Sequence, residues 1–367
     1  MRVVQLIDSL YIGGAERLQV TFAEVALSRG MQPTIMTVVP ARVRVIANHL
    51  TSLGLDVLEF NDGNLLDFKR FISLIRALRR GQYDLIHAHL VYSIILGALA
   101  GFITGIPVVA TLHNIKSNRF PWLELLSLRY GVKKIIAVGN AVADSYQPRL
   151  RGSSLIIVDN PVREGVALSM DARVKIRKEL SGHPSRPILI SVGRLEAQKG
   201  YSDLIIAMKH LHEVHPQAFL VIVGIGTLMD QIQEQIETEG LQECVRLLGA
   251  RDDVPQLLAS SDVYVVSSHW EGMPISVLEA MQAALPIVAT HVGDIPTIMK
   301  CECGMLVPPH EPKSLADALL VLLKDSARCK SLGLNGLSYV RERHNTDIWF
   351  DKLVEIYREV LPKNDQT

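Results

Sequence analysis

The stretch ILISVGRLEAQKG, from Ile188 to Gly200, decides the fold. Its first five residues are a short, nearly continuous apolar run rich in branched side chains, the pattern of a strand buried on both faces. A polar segment bounded by Gly193 and Gly200 follows, carries Arg194 and Lys199, and opens a helix. Two cationic side chains thus stand at the C-terminal end of a strand, which in an open α/β sheet is where ligands bind.

The same strand-then-helix unit extends in both directions. Before it, strands are expected at Val3–Ile7, 33–39, 55–58, 84–87, Val108–Leu112, 134–138 and 155–158. After it, they are expected at Phe219–Val223, Val245–Leu247, Val263–Val266, 287–289 and 305–307. In the first helix Ala15, Leu18, Phe22, Val25 and Ala26 share one face, and Gly30 closes it. Apolar strands alternating with helices predict parallel sheets covered on both faces, and two such series predict two doubly wound α/β domains. The pattern loosens between Val158 and Pro187, through Asn160, Pro161 and the polar segment SGHPS at 181–185, which reads as a linker. The expected division is a first domain over 1–165, a second over 166–345, and a helix and tail over 346–367 that can pack back on the first domain.

Residues 90–112 carry no charged side chain, a length that suits a membrane span. Gly105 and Pro107 instead divide the run into a helix at 92–103 and the strand Val108–Leu112. The N-terminal MRVVQLIDSLYIGG reaches Asp8 before any apolar run long enough for a signal-peptide core, and it reads as a strand. Four cysteines in 367 residues, Cys244, Cys301, Cys303 and Cys329, are too few and too unevenly placed for a disulfide framework or a paired zinc motif. A reducing, cytoplasmic compartment is therefore expected. Lys plus Arg is 38 and Asp plus Glu is 38, and this neutrality argues against nucleic acid as a partner. The neutrality conceals a split: residues 1–165 hold 18 basic against 12 acidic side chains, a balance of +6, and the remainder hold 20 against 26, or −6. A basic first domain suits a phosphorylated acceptor or an anionic membrane surface.

A second loop in the C-terminal half is denser in candidate chemistry. SSHWEGMPISVLEAM, from Ser267 to Met281, leaves a strand at Val266, carries Glu271 in a polar loop, and enters a helix near Pro274, a residue suited to the first helical position. Backbone amides of Gly272, Met273 and Ile275 at that helix N-terminus would face a phosphate or a polarised oxygen, a donor that Pro274 lacks. Glu279 lies about two turns into the helix. Alone, Glu271 reads as a turn residue and Glu279 as a solvated helix residue. What points to a site is the Arg194 and Lys199 loop in the same half, since Arg grips a diphosphate through its planar fork and Lys as a point charge. The spacing is not that of a P-loop. Gly224 and Gly226, after the next strand, let backbone approach a ligand closely, although Met229 stands where a dinucleotide fingerprint needs a small residue.

In the first half, Gly13 and Gly14 read either as a tight turn or as a place where an acceptor meets backbone amides. His87 and His89 share one face of a strand, and without a third ligand nearby they read as packing residues rather than a metal pair. His210, His212 and His215 at a helix end read as solvated, and Cys301 and Cys303 carry no functional reading.

Taken together these loops resemble the retaining glycosyltransferases of the GT-B fold, family four. The matching residues are Gly13, Gly14, Ala15 and Glu16; Gly193, Arg194 and Leu195 with Lys199 and Gly200; Gly224 and Gly226; Leu248 and Gly249; and Glu271 with Glu279, seven residues between them. The resemblance runs from Gly13 to about Glu342. It implies two Rossmann-like domains facing a central cleft, and transfer of a sugar from a nucleotide-sugar donor, such as a UDP- or GDP-sugar, to a hydroxyl of a glycan, polysaccharide or lipid-linked precursor with retention of configuration. Arg194 and Lys199 would neutralise the departing diphosphate, so that neither a metal nor another cofactor is expected. Glu279 would accept from the ribose hydroxyls, and Glu271 would contact the donor sugar, assisted by Gly272 and Met273. Donor contacts would extend to Gly193, Gly224, Gly226, Pro274 and Ile275, with Arg251 in the loop that receives the base. Gly13, Gly14 and Glu16 would meet the acceptor. His113 matches the family histidine that faces the donor sugar, which makes Glu271, His113, Arg194 and Lys199 the implied catalytic set. Asn114 stands where relatives often have Asp.

No carboxylate is placed as the nucleophile of a double displacement, so the family view is a front-face reaction in which the leaving diphosphate helps deprotonate the acceptor. A non-hydrolysing nucleotide-sugar 2-epimerase would need further acid-base carboxylates and fits the Gly13 to Glu16 loop poorly. A nucleotide-sugar-binding protein without turnover is at odds with the presence of Glu271, Arg194 and Lys199, and a dehydrogenase lacks its glycine fingerprint. Two basic segments, 68–80 with Lys69, Arg70, Arg76, Arg79 and Arg80, and 119–134 with Arg129, Lys133 and Lys134, interleave charge with apolar residues. Each reads either as a helix covering a sheet or as a peripheral contact with the cytoplasmic face of an anionic membrane.

Overall fold

A computed structural model of the chain describes residues 1–11, 13–40, 44–60, 67–115, 121–150, 152 and 154–362. The chain divides into two compact units, Met1–Asn160 joined by Thr346–Thr367, and Pro161–Asn345. The first unit carries a net +4 and the second −4 on formal count.

The first unit is built on a parallel sheet of β1 (Val3–Ile7), β2 (Thr34–Thr37), β3 (Val57–Glu59), β4 (Leu85–His89), β5 (Val108–Leu112), β6 (Lys134–Ala137) and β7 (Leu155–Ile157), in the order β3-β2-β1-β4-β5-β6-β7. β1, β4 and β5 are buried along their whole length, as strands covered by helices on both faces must be. The helix Gly14–Ser28 lays Ala15, Leu18, Phe22 and Ala26 on the sheet, and Gly30, with φ 71°, turns the chain away in the left-handed region. The uncharged run becomes the helix Val91–Thr104 followed by β5. That helix starts where Asp8, just past β1, accepts hydrogen bonds from the Ser93 amide at 2.7 Å and hydroxyl at 2.8 Å.

The second unit repeats the plan with β8 (Ile188–Val192), β9 (Phe219–Val223), β10 (Val245–Leu247), β11 (Val263–Val266), β12 (Ile287–Thr290) and β13 (Gly304–Val307), ordered β10-β9-β8-β11-β12-β13 and all parallel.

Two details differ from the sequence expectation. The division falls at Asn160–Pro161 rather than after residue 165, because the Val162 amide donates to the His344 carbonyl at 2.9 Å and ties the start of this segment to the second unit. The stretch read as a linker holds the helix Met170–Ser181, capped by Ser169. Arg177, buried on that helix, donates to the carbonyls of Pro184 at 2.6 Å, Ser260 at 2.7 Å and Arg186 at 2.8 Å and pairs with Asp262 at 2.9 Å. One guanidinium thus fastens the polar 181–185 segment, which composition alone made look loose.

The last helix, Thr346–Val360, packs on the first unit. Trp349, Phe350, Leu353, Ile356 and Tyr357 join Val3, Phe22, Leu85, Val109 and Ile136 in one apolar cluster. The Phe22 ring centroid lies 5.3 Å from that of Phe350 and 6.2 Å from that of Trp349. Arg29 also pairs with Asp347 at 2.7 Å and Asp351 at 2.9 Å, but these pairs are exposed and worth little. The aromatic contacts hold the helix. Phe350→Ala is expected to cost about 3–5 kcal/mol and lower the melting temperature by roughly 10 °C, measured by scanning calorimetry.

Candidate active site

In each sheet the strand order reverses at one place, between β1 and β4 and between β8 and β11. Loops leaving the strands on either side of such a reversal run to opposite faces and open a crevice at the strand C-termini. In the second unit those loops are Gly193 to Gly200 and Ser267 to Pro274, the two that sequence reasoning singled out.

The structure joins them. Lys199 Nζ lies 2.6 Å from Glu271 Oε1, with 17% and 5% of the two side chains exposed. The Ser268 hydroxyl donates to the same carboxylate oxygen at 2.6 Å, and the Gln198 amide reaches the other at 3.4 Å. Burying a carboxylate this deeply requires such partners. Gly200 is left-handed, φ 60°, and a side chain there would collide with the Ser267 carbonyl and the His269 ring, so the two loops touch at this glycine. Arg194 is exposed, and its guanidinium has no partner among the described residues. Beneath the loops lies a neutral floor of two buried tyrosines. Burial, reinforced by the Glu271 carboxylate, holds the Tyr201 hydroxyl above the ordinary phenol range. Burial does the same for Tyr264, whose hydroxyl donates to the Val192 carbonyl at 3.2 Å. Sequence reasoning missed both; the signal for Tyr201 was its place directly after Gly200.

Other expected residues fall differently. Pro274 is the N-cap rather than the first helical residue, because its ψ of 113° is extended, and the helix runs Ile275–Gln282. Glu279 therefore sits one turn into the helix, half-buried near Tyr264, and not on a solvated face. Gly272 and Met273 are buried, and the Gly272 carbonyl accepts from the Asp294 amide at 3.1 Å. Gly224 and Gly226 are closely packed: side chains there would overlap the backbone of Gly193 and of Leu195, and the Leu195 amide donates to the Ile225 carbonyl at 3.0 Å. Arg251 is engaged by both carboxylate oxygens of Asp253, at 2.7 and 2.6 Å. In the first unit, a side chain at Gly13 would collide with the Glu16 carboxylate, which folds back over the N-terminus of its own helix. Negative charge is thus already present at this helix N-terminus.

His113, after β5, is half-buried, and its Nε2 lies 3.1 Å from Nδ1 of buried His89. His89 Nε2 is 2.7 Å from the Gln5 side-chain oxygen, and the Gln5 amide donates to the Tyr357 hydroxyl at 3.2 Å. Tyr357 is 2.6 Å from His87 Nδ1, and His87 Nε2 is 2.7 Å from the Thr111 hydroxyl. His87 and His89 are thus members of a buried polar chain, in keeping with the packing reading. The chain ends on His113 and includes two residues that sequence reasoning passed over, Gln5 within a buried strand and Tyr357 on the last helix. Gln19, whose buried side-chain oxygen has no hydrogen-bond partner among the described residues, lines the same pocket as these histidines.

Two family models divide the chain between them. "Glycosyltransferase Family 4" matches residues 12–164 and "Glycosyl transferases group 1" matches residues 173–338. The chain belongs to this family. Among its curated relatives, the UDP-Gal:alpha-D-GlcNAc-diphosphoundecaprenol alpha-1,3-galactosyltransferase of Escherichia coli is 28% identical over 80% of this chain and 80% of its own. The phosphatidyl-myo-inositol mannosyltransferase of Mycobacterium leprae is 27% identical over 95% and 93%. Among solved structures, Anabaena HepE in complex with UDP-glucose superposes with a TM-score of 0.85 at 22% identity, over 98% of this chain and all of that one, which shows the shared GT-B fold.

Burial lowers the pKa of His87 to about 3 and of His113 to about 4, and His89 falls well below the usual histidine value. Folded values below the unfolded one, near 6.5, mean that the unfolded chain binds more protons between those limits. This stabilisation is complete above pH 6.5 and is lost as pH falls toward 4, at up to about 1.4 kcal/mol per pH unit for each histidine. Denaturant titrations at stepped pH are expected to show that loss, and His87→Gln is expected to reduce its slope.

Proposed function

We propose that this family-four glycosyltransferase moves a hexosyl unit from a nucleotide-sugar to a hydroxyl acceptor with retention of configuration. The observation that carries the reading is the Lys199–Glu271 pair at the strand-order reversal of the second unit, with Arg194 exposed on the same loop. Lys199 has three N–H donors and Glu271 takes one, which leaves the ammonium able to meet a diphosphate. Arg194 adds a planar fork. Together they offset the charge that develops as the diphosphate leaves, so the transfer needs no metal. Glu271 Oε1 is already shared by Lys199 and Ser268, which suits a carboxylate that orients sugar hydroxyls better than one that attacks carbon. Half-buried Glu279 receives the ribose. His113 contacts the donor sugar, held by His89 and Gln5. Gly13 and Gly14 stand on the acceptor side, with Glu16 beside them in the first turn of the same helix.

The donor base is most simply uracil, as in the E. coli relative's UDP-Gal and the UDP-glucose of HepE, with GDP-sugars as the second choice. A lipid-linked or glycan acceptor is supported by the diphosphoundecaprenol and phosphatidyl-inositol in the two relatives' names. With such an acceptor the enzyme would work on the cytoplasmic face of a membrane, where a nucleotide-sugar is at hand. No helix among the described residues is long and apolar enough to cross a membrane. On the helix Pro121–Tyr130, however, Trp122, Leu126 and Tyr130 recur every fourth residue and are 62%, 45% and 81% exposed, beside exposed Arg129 and Lys133. That stripe suits insertion at an anionic interface. The other basic segment contributes less, since Arg70 is buried; Arg119, at the start of the second, lies outside the described residues.

Thermal-shift titration with UDP-, GDP- and ADP-sugars, followed by turnover with the best binder, tests the reading; no stabilisation by any nucleotide would sink it. Transfer requires an acceptor, which separates it from epimerisation. Lys199→Ala is expected to lower kcat/KM by about 100- to 1000-fold. Glu271→Gln is expected to keep nucleoside-diphosphate binding and lose the extra stabilisation given by the sugar. For the membrane contact, flotation on anionic vesicles is expected to be strong for the wild type and weak for the Trp122→Ser, Tyr130→Ser double variant.

A further inference from the structure

Among the described residues, one group of three side chains has the composition and spacing of a metal site, and none of its members is a donor-site residue named above. Asp203 stands in the first turn of the helix Tyr201–Val214, His269 in the loop after β11, and His310 between β13 and the helix Pro312–Lys324. His269 Nε2 is 2.9 Å from Asp203 Oδ2, and His310 Nδ1 is 3.6 Å from the same oxygen. All three ligand atoms lie within 4.8 Å of one another.

From these contacts we propose a binding site for a divalent first-row transition ion, of which zinc is the type, with Asp203, His269 and His310 as ligands. An ion held at about 2.0–2.2 Å by nitrogen and oxygen sets its tetrahedral neighbours about 3.4 Å apart. The two measured separations bracket that value. An ion pair alone explains less. His310 is too far for a hydrogen bond to the carboxylate, and its ring lies tilted by 36° against that of His269, with centroids 4.0 Å apart. It does so from a left-handed backbone, φ 62°, that costs a non-glycine residue energy. Two imidazoles and one carboxylate select borderline ions over magnesium or calcium, which prefer oxygen. The His310 side chain is 65% exposed, so the group is open to solvent on one side, which gives an ion both an entry path and room for water. His269 is two residues before Glu271, and its amide donates to the Gln198 carbonyl at 2.8 Å, so a bound ion would pin the Glu271 loop to the helix that begins at Tyr201.

The test uses the full chain after chelator treatment. Calorimetric titration with zinc chloride is expected to give one equivalent per chain, and cobalt chloride a visible absorption band of low-symmetry coordination. Copper should quench tryptophan emission, since the Trp270 ring lies 6.3 Å from that of His269. His310→Ala and Asp203→Asn, checked for folding by circular dichroism, are expected to weaken zinc at least about tenfold and to remove the cobalt band. Absence of stoichiometric uptake by the wild type overturns the proposal. So does uptake that both variants retain, which would assign the ion to other histidines or to cysteines.

Discussion

Beneath the surface of the second unit Lys199 and Glu271 face each other at 2.6 Å, and the carboxylate takes a further hydrogen bond from Ser268. The cost of an unpaired buried charge exceeds what packing around it returns, so neither side chain can be buried here without the other. The pair therefore constrains its surroundings. Gly200 must be a glycine for the two loops to close, Gln198 must lie over Trp270 and Glu271, and Tyr201 must stay neutral below. Gln198, Gly200 and Tyr201 are thus gathered around this single ion pair.

What brings residues 72 positions apart into contact is the sheet. Parallel strands joined by helices set every strand C-terminus on one edge, and the reversal between β8 and β11 sends successive loops apart so that a crevice opens there. The glycines after β9 contribute by letting their loop pass close to Gly193 and Leu195. That packing supports the edge of the crevice.

The first unit organises its histidine in another way. His113 is positioned through His89 and Gln5, and the chain continues to Tyr357 on a helix that arrives only after the second unit has been completed. Burial keeps these rings uncharged, so the chain can hold tautomers and orientations without the repulsion that protonation would bring. The last helix thus does two things at once: its aromatic face completes the core over β1, β4, β5 and β6, and its tyrosine closes the polar chain.

The order of strands and helices, the two-unit plan and the loops that bear Arg194, Lys199, Glu271 and Glu279 were legible in the sequence, because apolar periodicity and strand-end glycines are local signals. Partnerships were not. Arg251 was legible as a charge but not as the partner of Asp253, Glu16 was not legible as a carboxylate folded over Gly13, and Arg177 gave no sign that it fastens the segment read as a linker. The meeting of Asp203, His269 and His310 lies further still from any sequence signal, since they come from one helix start and two separate loops. Local patterning determined which elements form and which residues stand at their ends. Only tertiary structure decided which of those residues face one another, because pairing across loops depends on the order of strands in the sheet, and strand order is not written in any local period.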